Sequence, residues 1–135
     1  MIPRILIVDD SSLQRRAIVN LLAPYDCELF EAADGQMALE VVRTSHPNLV
    51  LLDYNMPVMD GLSFLQMLRA DPAIAATHVI MLTANSAPAT LSAAARLRVR
   101  DYLVKPCDAQ TLLSKVSRLL PLRLRADVSS NQDSP

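Results

Sequence analysis

The sequence has few of the features that mark several large classes of protein. Its two cysteines, Cys27 and Cys107, lie far apart and outside any metal-ligand spacing, which favours free thiols in a reducing compartment. The net charge of -1 predicts no general attraction to nucleic acid. No apolar run approaches the length of a membrane span, and the acidic pair soon after the N-terminus does not fit a signal peptide. We therefore expect a cytoplasmic protein with no direct nucleic-acid or membrane partner.

Four short apolar runs each end on a polar residue. The runs cover residues 5–8, 49–52, 79–82 and 102–104, and they end on Asp9-Asp10, Asp53, Thr83 and Lys105 respectively. Runs this short and this apolar are typical of parallel strands buried on both faces. Because ligands of an open parallel sheet bind beyond the carboxyl ends of its strands, we expect three carboxylates, a hydroxyl and an ammonium to converge at one edge.

Segments with helical spacing alternate with these runs and with a further strand over residues 27–32. Helices are predicted after Ser11-Ser12, over 37–43, after Asp60-Gly61, over 88–97 and after Asp108. Five strand–helix pairs predict an α/β fold, a doubly wound five-stranded parallel sheet with helices on both faces. The pattern ends near residue 120. We expect one domain over 1–120 and a disordered polar tail or linker over 121–135.

The three carboxylates would repel one another if they met at one sheet edge. Either one of Asp9, Asp10 and Asp53 is protonated, or a cation lies among them. Oxygen ligands without cysteine or histidine nearby favour a hard ion, and Mg²⁺ is the expected cofactor. A carboxylate beside Mg²⁺ can attack phosphorus and form an aspartyl phosphate. Lys105 can then neutralise charge on the phosphoryl oxygens, and Thr83 can donate a hydrogen bond to one of them.

Four segments of the chain resemble the receiver domain of bacterial two-component response regulators. They are Leu6 to Ser11, Leu51 to Gly61, Leu82 to Ala84 and Tyr102 to Pro106. The resemblance covers residues 4 to about 120 and implies a flavodoxin-like (βα)5 sheet of strand order 2-1-3-4-5. It also implies a signalling switch that accepts phosphoryl from a histidine kinase or phosphotransfer protein. Such a switch catalyses only weak phosphorylation and dephosphorylation of itself and is not a metabolic enzyme.

The resemblance assigns roles to the residues at the predicted sheet edge. Asp53 would be the phospho-acceptor. Asp10 and Asp53, with the backbone carbonyl of Asn55, would hold Mg²⁺, and Asp9 would act mostly through a bound water. Asn55 and Asn85 fall where the family tunes the rate of autodephosphorylation.

The resemblance also implies a route from the phosphoryl site to a partner surface. Thr83 and Lys105 would contact the phosphoryl group, and the Lys105–Pro106 bond is expected to be cis. Tyr102 would change rotamer as Thr83 moves, which would alter the surface formed by the fourth helix, fifth strand and fifth helix. A second copy of the domain can bind at that surface.

Two positions depart from the receiver pattern. Arg98 stands where a glycine commonly ends the fourth helix, so a positive φ there would carry strain. Cys107 stands where a large aromatic often follows Lys105-Pro106. Both lie on the partner surface, so the way in which that surface contacts a partner stays open.

Three alternatives to a self-standing receiver remain. The chain can be the receiver module of a hybrid kinase or multidomain regulator. It can be a receiver that is never phosphorylated, and the residues that argue against this are the intact Asp53, Asp10, Thr83 and Lys105. It can also be an aspartyl-phosphate phosphatase of the haloacid-dehalogenase type. That class places a second carboxylate two residues after the nucleophile, where this chain has Asn55.

Overall fold

The structure is a computed structural model, and it describes residues 2–56, 58–84, 87–106 and 108–126. Within these ranges five strands alternate with five helices. In chain order the elements are β1 Arg4–Val8, α1 Ser12–Leu22, β2 Glu28–Ala32, α2 Gly35–Ser45, β3 Leu49–Asp53, α3 Gly61–Ala70, β4 His78–Thr83, α4 Pro88–Arg96, β5 Asp101–Val104 and α5 Ala109–Leu119. The strands form one parallel sheet of order β2-β1-β3-β4-β5. The predicted fold class and strand order are confirmed.

Alternate residues of the central strands enter two separate apolar cores. Leu6 and Leu52 belong to the core beneath α2, α3 and α4. Ile7 and Leu51 belong to the core beneath α1 and α5 on the opposite face. Every residue of β3 is buried, as expected for a central parallel strand covered on both sides. Because all five strands are parallel, their carboxyl ends lie at one edge of the sheet.

Side-chain caps begin four of the five described helices. In each case a side-chain oxygen accepts the N–H three residues further on. The capping residues are Ser11, Asp34, Asp60 and Asp108. The helix that the sequence predicts over 37–43 therefore begins earlier, at Gly35 after the cap Asp34. The fourth helix has no side-chain cap, because it begins after Ala87, whose side chain has no oxygen. Among its described residues, Ala94 alone is buried.

The C-terminal end of α4 is held by one arginine of α3. Arg69 donates from Nε to the carbonyl of Leu97 at 2.8 Å and from Nη2 to that of Arg98 at 3.2 Å. Its Nη1 donates to the carbonyls of Ala75 at 2.9 Å and Thr77 at 2.6 Å. Burial, with the like charge of Arg98 second, lowers the pKa of Arg69. One guanidinium thus joins α3, the loop before β4 and the turn after α4.

Residues 121–126 pack against the loop between α1 and β2, which corrects the predicted disorder for this part of the tail. Leu124 forms an antiparallel bridge with Tyr25. The backbone N–H of Arg125 donates to Pro24, and its Nε donates to the carbonyl of Ala23 at 2.9 Å. The last carbonyls of a helix lack intrahelical donors, and Arg125 supplies one at the end of α1.

Several sequence predictions fall on residues that the structure does not describe. They concern the disordered tail over 127–135, the effect of Cys107 and the tuning role of Asn85, and all three stay predictions. No helix in the described ranges combines the length and hydropathy that a membrane crossing requires.

Arg98 has a φ of 63°, in the left-handed region that glycine occupies without strain. Its N–H donates to the carbonyl of Ala95 at 3.0 Å, and its own carbonyl accepts from Arg69. The turn after α4 therefore keeps the positive φ although its residue carries a Cβ. A non-glycine residue in this conformation costs about 1 kcal/mol.

Replacing Arg98 with Gly should raise the free energy of unfolding, measured by urea denaturation, because it removes the Cβ clash. The Arg98→Ala variant is the matched control, since it removes the same charge and keeps the Cβ. We expect Arg98→Gly to exceed Arg98→Ala by about 0.5–1 kcal/mol. Equal stability of the two variants would contradict a strained turn.

Candidate functional site

The three predicted carboxylates meet beyond the ends of β1 and β3. One oxygen each from Asp9, Asp10 and Asp53 lies within 4.8 Å of the others. Asp9 and Asp53 are buried, whereas Asp10 is exposed. Two neighbouring strands thus deliver a compact acidic cluster to the edge that the sequence predicts.

Lys105, directly after β5, extends its ammonium into this cluster. Nζ donates to Oδ1 of Asp53 at 3.0 Å, to Oδ2 of Asp9 at 3.3 Å and to Oε1 of Gln14 at 2.8 Å. The backbone N–H of Lys105 donates to the carbonyl of Thr83 at 2.8 Å. The Lys105–Pro106 bond is cis, as predicted.

Burial and charge shift the pKa values of Asp53 and Lys105 in the same direction. Burial raises the pKa of the Asp53 carboxyl, and the hydrogen bond and charge of Lys105 only partly oppose it while Asp9 adds to it. Burial lowers the pKa of Lys105, but hydrogen bonds and charges from Asp53 and Asp9 outweigh that and raise it. The pKa of Asp53 is thus raised mainly by burial, whereas the pKa of Lys105 is raised because two carboxylates together outweigh burial.

Asp9 is held by both its backbone and its side chain. Its N–H donates to the carbonyl of Ala32 at 3.1 Å, and its Oδ1 accepts the N–H of Ser11 at 2.9 Å. Arg15 donates from Nη1 to the carbonyl of Asp9 at 2.6 Å and pairs through Nε with Glu31 at 3.1 Å. The orientation of this carboxylate is therefore determined by β1, β2 and α1 together.

Asp53 is held by the loop that follows β3. The N–H of Asn55 approaches Oδ1 of Asp53 at 3.4 Å, and the N–H of Tyr54 donates to the carbonyl of Leu82 at 2.9 Å. A Cβ on Gly61 would lie 3.0 Å from the Cα of Tyr54, so the start of α3 approaches this loop as closely as glycine allows. These contacts therefore fix the path of the backbone directly after Asp53.

Thr83 and Tyr102 lie on neighbouring strands and share one face of the sheet. Met81 pairs with Tyr102, and Thr83 pairs with Val104 two residues further on. Met81 belongs to the core beneath α4, so this is the face that α4 covers. Thr83 is fully buried, whereas Tyr102 is 41% exposed. The structure therefore places both predicted switch residues beside α4.

A groove of about 820 Å³ lies between α1 and α5 and reaches the acidic cluster at one end. Asp9 and Lys105 line that end. The remaining walls are mostly apolar and come from both helices, with Ala17, Ile18, Leu21, Ala109 and Leu112 among them. The acidic cluster is thus reached from a surface channel as well as from beyond the strand ends.

The donor set suits a hard divalent cation. Each of the three side chains in the cluster offers a carboxylate oxygen, and no cysteine or histidine of the described residues joins them. Three carboxylates face one ammonium, so the cluster keeps a net negative charge that a cation would offset. The residues present therefore fit Mg²⁺.

Sequence reasoning missed Gln14 and Arg15. Gln14 stands three residues after Ser11, the spacing of a capping box, and that spacing would have assigned its side chain to the helix end. Arg15 contacts the side chain of Glu31, which is distant along the chain, and the backbone carbonyl of Asp9. No sequence spacing predicts either kind of contact.

Comparisons with known proteins agree with this architecture. The family model for the response regulator receiver domain matches residues 5–117. The chemotaxis protein CheY of Pseudomonas aeruginosa is 38% identical over 117 residues, which cover 86% of this chain and 94% of that protein. The probable transcriptional regulator ycf27 of Porphyridium aerugineum is 35% identical over 132 residues, 98% of this chain and 53% of that protein.

A solved structure shares the same fold over most of the chain. The chemotaxis protein CheY4 of Vibrio cholerae superposes with a TM-score of 0.83 at 31% identity, over 89% of this chain and 100% of that one. The family match, over residues 5–117, includes Asp9, Asp53 and Lys105. Together the family match, the relatives and the superposition show that the chain belongs to the response regulator receiver domain family of two-component signalling.

Proposed function

We propose that this receiver domain accepts a phosphoryl group on Asp53 from a histidine kinase or phosphotransfer protein and thereby changes its affinity for a partner. The observation that carries the proposal is the ammonium of Lys105, held 3.0 Å from Asp53 and 3.3 Å from Asp9 at the mouth of an acidic cluster. A nucleophilic carboxylate with a cation beside it is the arrangement that phosphoryl transfer to an aspartate requires.

We propose that Asp10 and Asp53, with the carbonyl of Asn55, hold Mg²⁺, and that Asp9 acts through a bound water. When bound, the ion would neutralise charge on the transferring phosphoryl oxygens. Asp9 is turned toward Lys105 and the N–H of Ser11, which favours an indirect role for its carboxylate. Asp10 is exposed and remains accessible to the ion.

The chain's own groups supply the rest of the transfer. A carboxylate oxygen of Asp53 attacks phosphorus, and the bond from phosphorus to the donor histidine nitrogen breaks with its electron pair on that nitrogen. Lys105 already donates to Oδ1 of Asp53, so its charge lies beside the atom to which phosphorus is transferred. Thr83 would donate its hydroxyl proton in a hydrogen bond to a phosphoryl oxygen. Water can later displace the aspartyl oxygen, which gives the weak self-catalysed dephosphorylation of a switch.

The signal would leave the site through Thr83 and Tyr102. Both lie on the face of the sheet that α4 covers, and α4 begins without a capping side chain. Movement of the Thr83 hydroxyl toward the phosphoryl group would open space that the exposed ring of Tyr102 can enter, a discrete change between two states. The surface of α4, β5 and α5 would then bind a partner or a second copy of the domain.

A phosphatase of the haloacid-dehalogenase type is disfavoured by the residue two positions after Asp53. Asn55 has no carboxylate to act there as a general acid or base. The likeness to chemotaxis proteins and to a transcriptional regulator also supports a signalling role rather than turnover of a substrate.

Replacing Asp53 with Asn should abolish the phosphoryl adduct formed with acetyl phosphate and Mg²⁺, because an amide oxygen is a poor nucleophile toward phosphorus. Intact-mass spectrometry measures the adduct. Asp34→Asn is the matched control, since Asp34 caps α2 outside the cluster and asparagine caps equally well. An undiminished adduct in Asp53→Asn would overturn the assignment of the phospho-acceptor.

Replacing Asp10 with Asn should weaken Mg²⁺ binding by about tenfold or more, because it removes one anionic ligand from the cluster. Isothermal calorimetry with MgCl₂ measures the affinity. Without metal, the unfolding transition of Asp10→Asn should be no lower than that of wild type, because Asp10 is exposed and its neutralisation relieves repulsion in the cluster. Asp34→Asn again serves as control and should bind as the wild type does. Wild-type affinity in Asp10→Asn would remove this residue from the metal site.

Beryllofluoride, which mimics the phosphoryl group, should change NMR chemical shifts from Asp53 as far as α4 and β5. In Thr83→Ala the changes should stay near Asp53, because the hydroxyl that couples the site to Tyr102 is missing. Thr44→Ala, on α2, removes an exposed hydroxyl bonded only within its own helix and should behave as wild type. Shifts in α4 and β5 that persist in Thr83→Ala would disprove the route.

A further inference from the structure

Gln14 supplies the third acceptor of the Lys105 ammonium. An ammonium has three N–H donors and no acceptor, and here they have Asp53, Asp9 and Gln14 as partners. The bond to Oε1 of Gln14, at 2.8 Å, is the shortest of the three. It is also the one whose acceptor carries no charge and lies outside the cluster of three carboxylates.

The side chain of Gln14 is available to Lys105 because Asp9, and not Gln14, accepts the N–H of the helix cap Ser11. In a capping box the residue three positions after the cap accepts the N–H of the cap residue. Ser11 does accept the N–H of Gln14, at 3.2 Å, but the N–H of Ser11 donates to Oδ1 of Asp9 at 2.9 Å. The side-chain amide of Gln14 is thus left to accept from Lys105, directly after β5.

Gln14 also lies on the solvent side of the ammonium. It is exposed and lines the end of the groove between α1 and α5, whereas the side chain of Lys105 is 23% exposed and those of Asp9 and Asp53 are buried. The two carboxylates therefore hold the ammonium from the interior, and Gln14 holds it from outside.

We propose that Gln14 is a positioning residue for phosphoryl transfer, a role that rests on the proposed function of Asp53. When an oxygen of Asp53 bonds to phosphorus, the donor's oxygen or nitrogen leaves with its electron pair and the carboxylate loses its charge. The charged oxygens beside Lys105 are then those of the phosphoryl group. The N–H group of Lys105 that donates to Asp53 must therefore turn and donate to a phosphoryl oxygen instead. The bond to Gln14 can persist through this change, and it keeps the ammonium from swinging into the groove while one donor turns.

The test compares three variants by the rate constant of phosphorylation with acetyl phosphate at saturating Mg²⁺. Gln14→Met keeps the length of the side chain and loses the acceptor, and we expect a rate about five- to tenfold lower, the effect of one hydrogen bond. Gln14→Glu keeps an acceptor at the same reach and should lie closer to wild type. Asn20→Met makes the same amide-to-thioether change farther along the groove and should leave the rate unchanged.

A second readout follows the ammonium itself, by nitrogen-15 NMR of the lysine side chain without any phosphoryl donor. The Lys105 signal should shift and exchange faster with water in Gln14→Met and stay unchanged in Asn20→Met. If wild type and Gln14→Met agree in both rate and signal, Gln14 has no positioning role. If wild type takes up no phosphoryl group, the proposed function fails. The nitrogen-15 signal of Lys105 then still shows whether Gln14 holds the ammonium in place.

Discussion

The bond between the ammonium of Lys105 and the carboxylates of Asp9 and Asp53 is the interaction on which the site depends. Two buried carboxylates at one sheet edge are costly unless a cation lies between them, and Lys105 is the cation that the described chain supplies. Asp9 and Lys105 directly follow β1 and β5, and Asp53 is the last residue of β3. The interaction therefore forms only when three strands that are distant along the chain stop at the same level, and the doubly wound sheet provides that alignment.

The parts of the fold that were predictable from sequence are those with local signals. β1, β3 and β4 are mostly apolar runs, and each ends at or just before a polar residue that the sequence predicts for the site. Parallel pairing then brings Asp9 and Asp53 together without further information. The caps at Ser11 and Asp108 are similarly local, because a capping side chain binds an N–H only three residues away.

The contacts that sequence reasoning missed are made by long polar side chains to backbone or to distant residues. Gln14 reaches Lys105, Arg69 reaches the turn after α4, and Arg125 reaches the end of α1. A carbonyl acceptor has no sequence signature, since every residue carries one. For the same reason the sequence predicts an unpacked tail over 121–126, since the hydrogen-bond partners of this segment include carbonyls and N–H groups of another loop.

The bonds of Arg69 have a mechanical consequence for α4. They hold the helix at Leu97 and Arg98, whereas its other end follows Ala87, near the end of β4. A helix held in this way rotates about a pivot rather than sliding along the sheet, and its far end travels most. With 9 residues α4 is about 13 Å long, so a rotation of about 10° displaces the end nearer Thr83 by about 2 Å. Arg69 would thus make α4 a lever whose long arm ends near the end of β4.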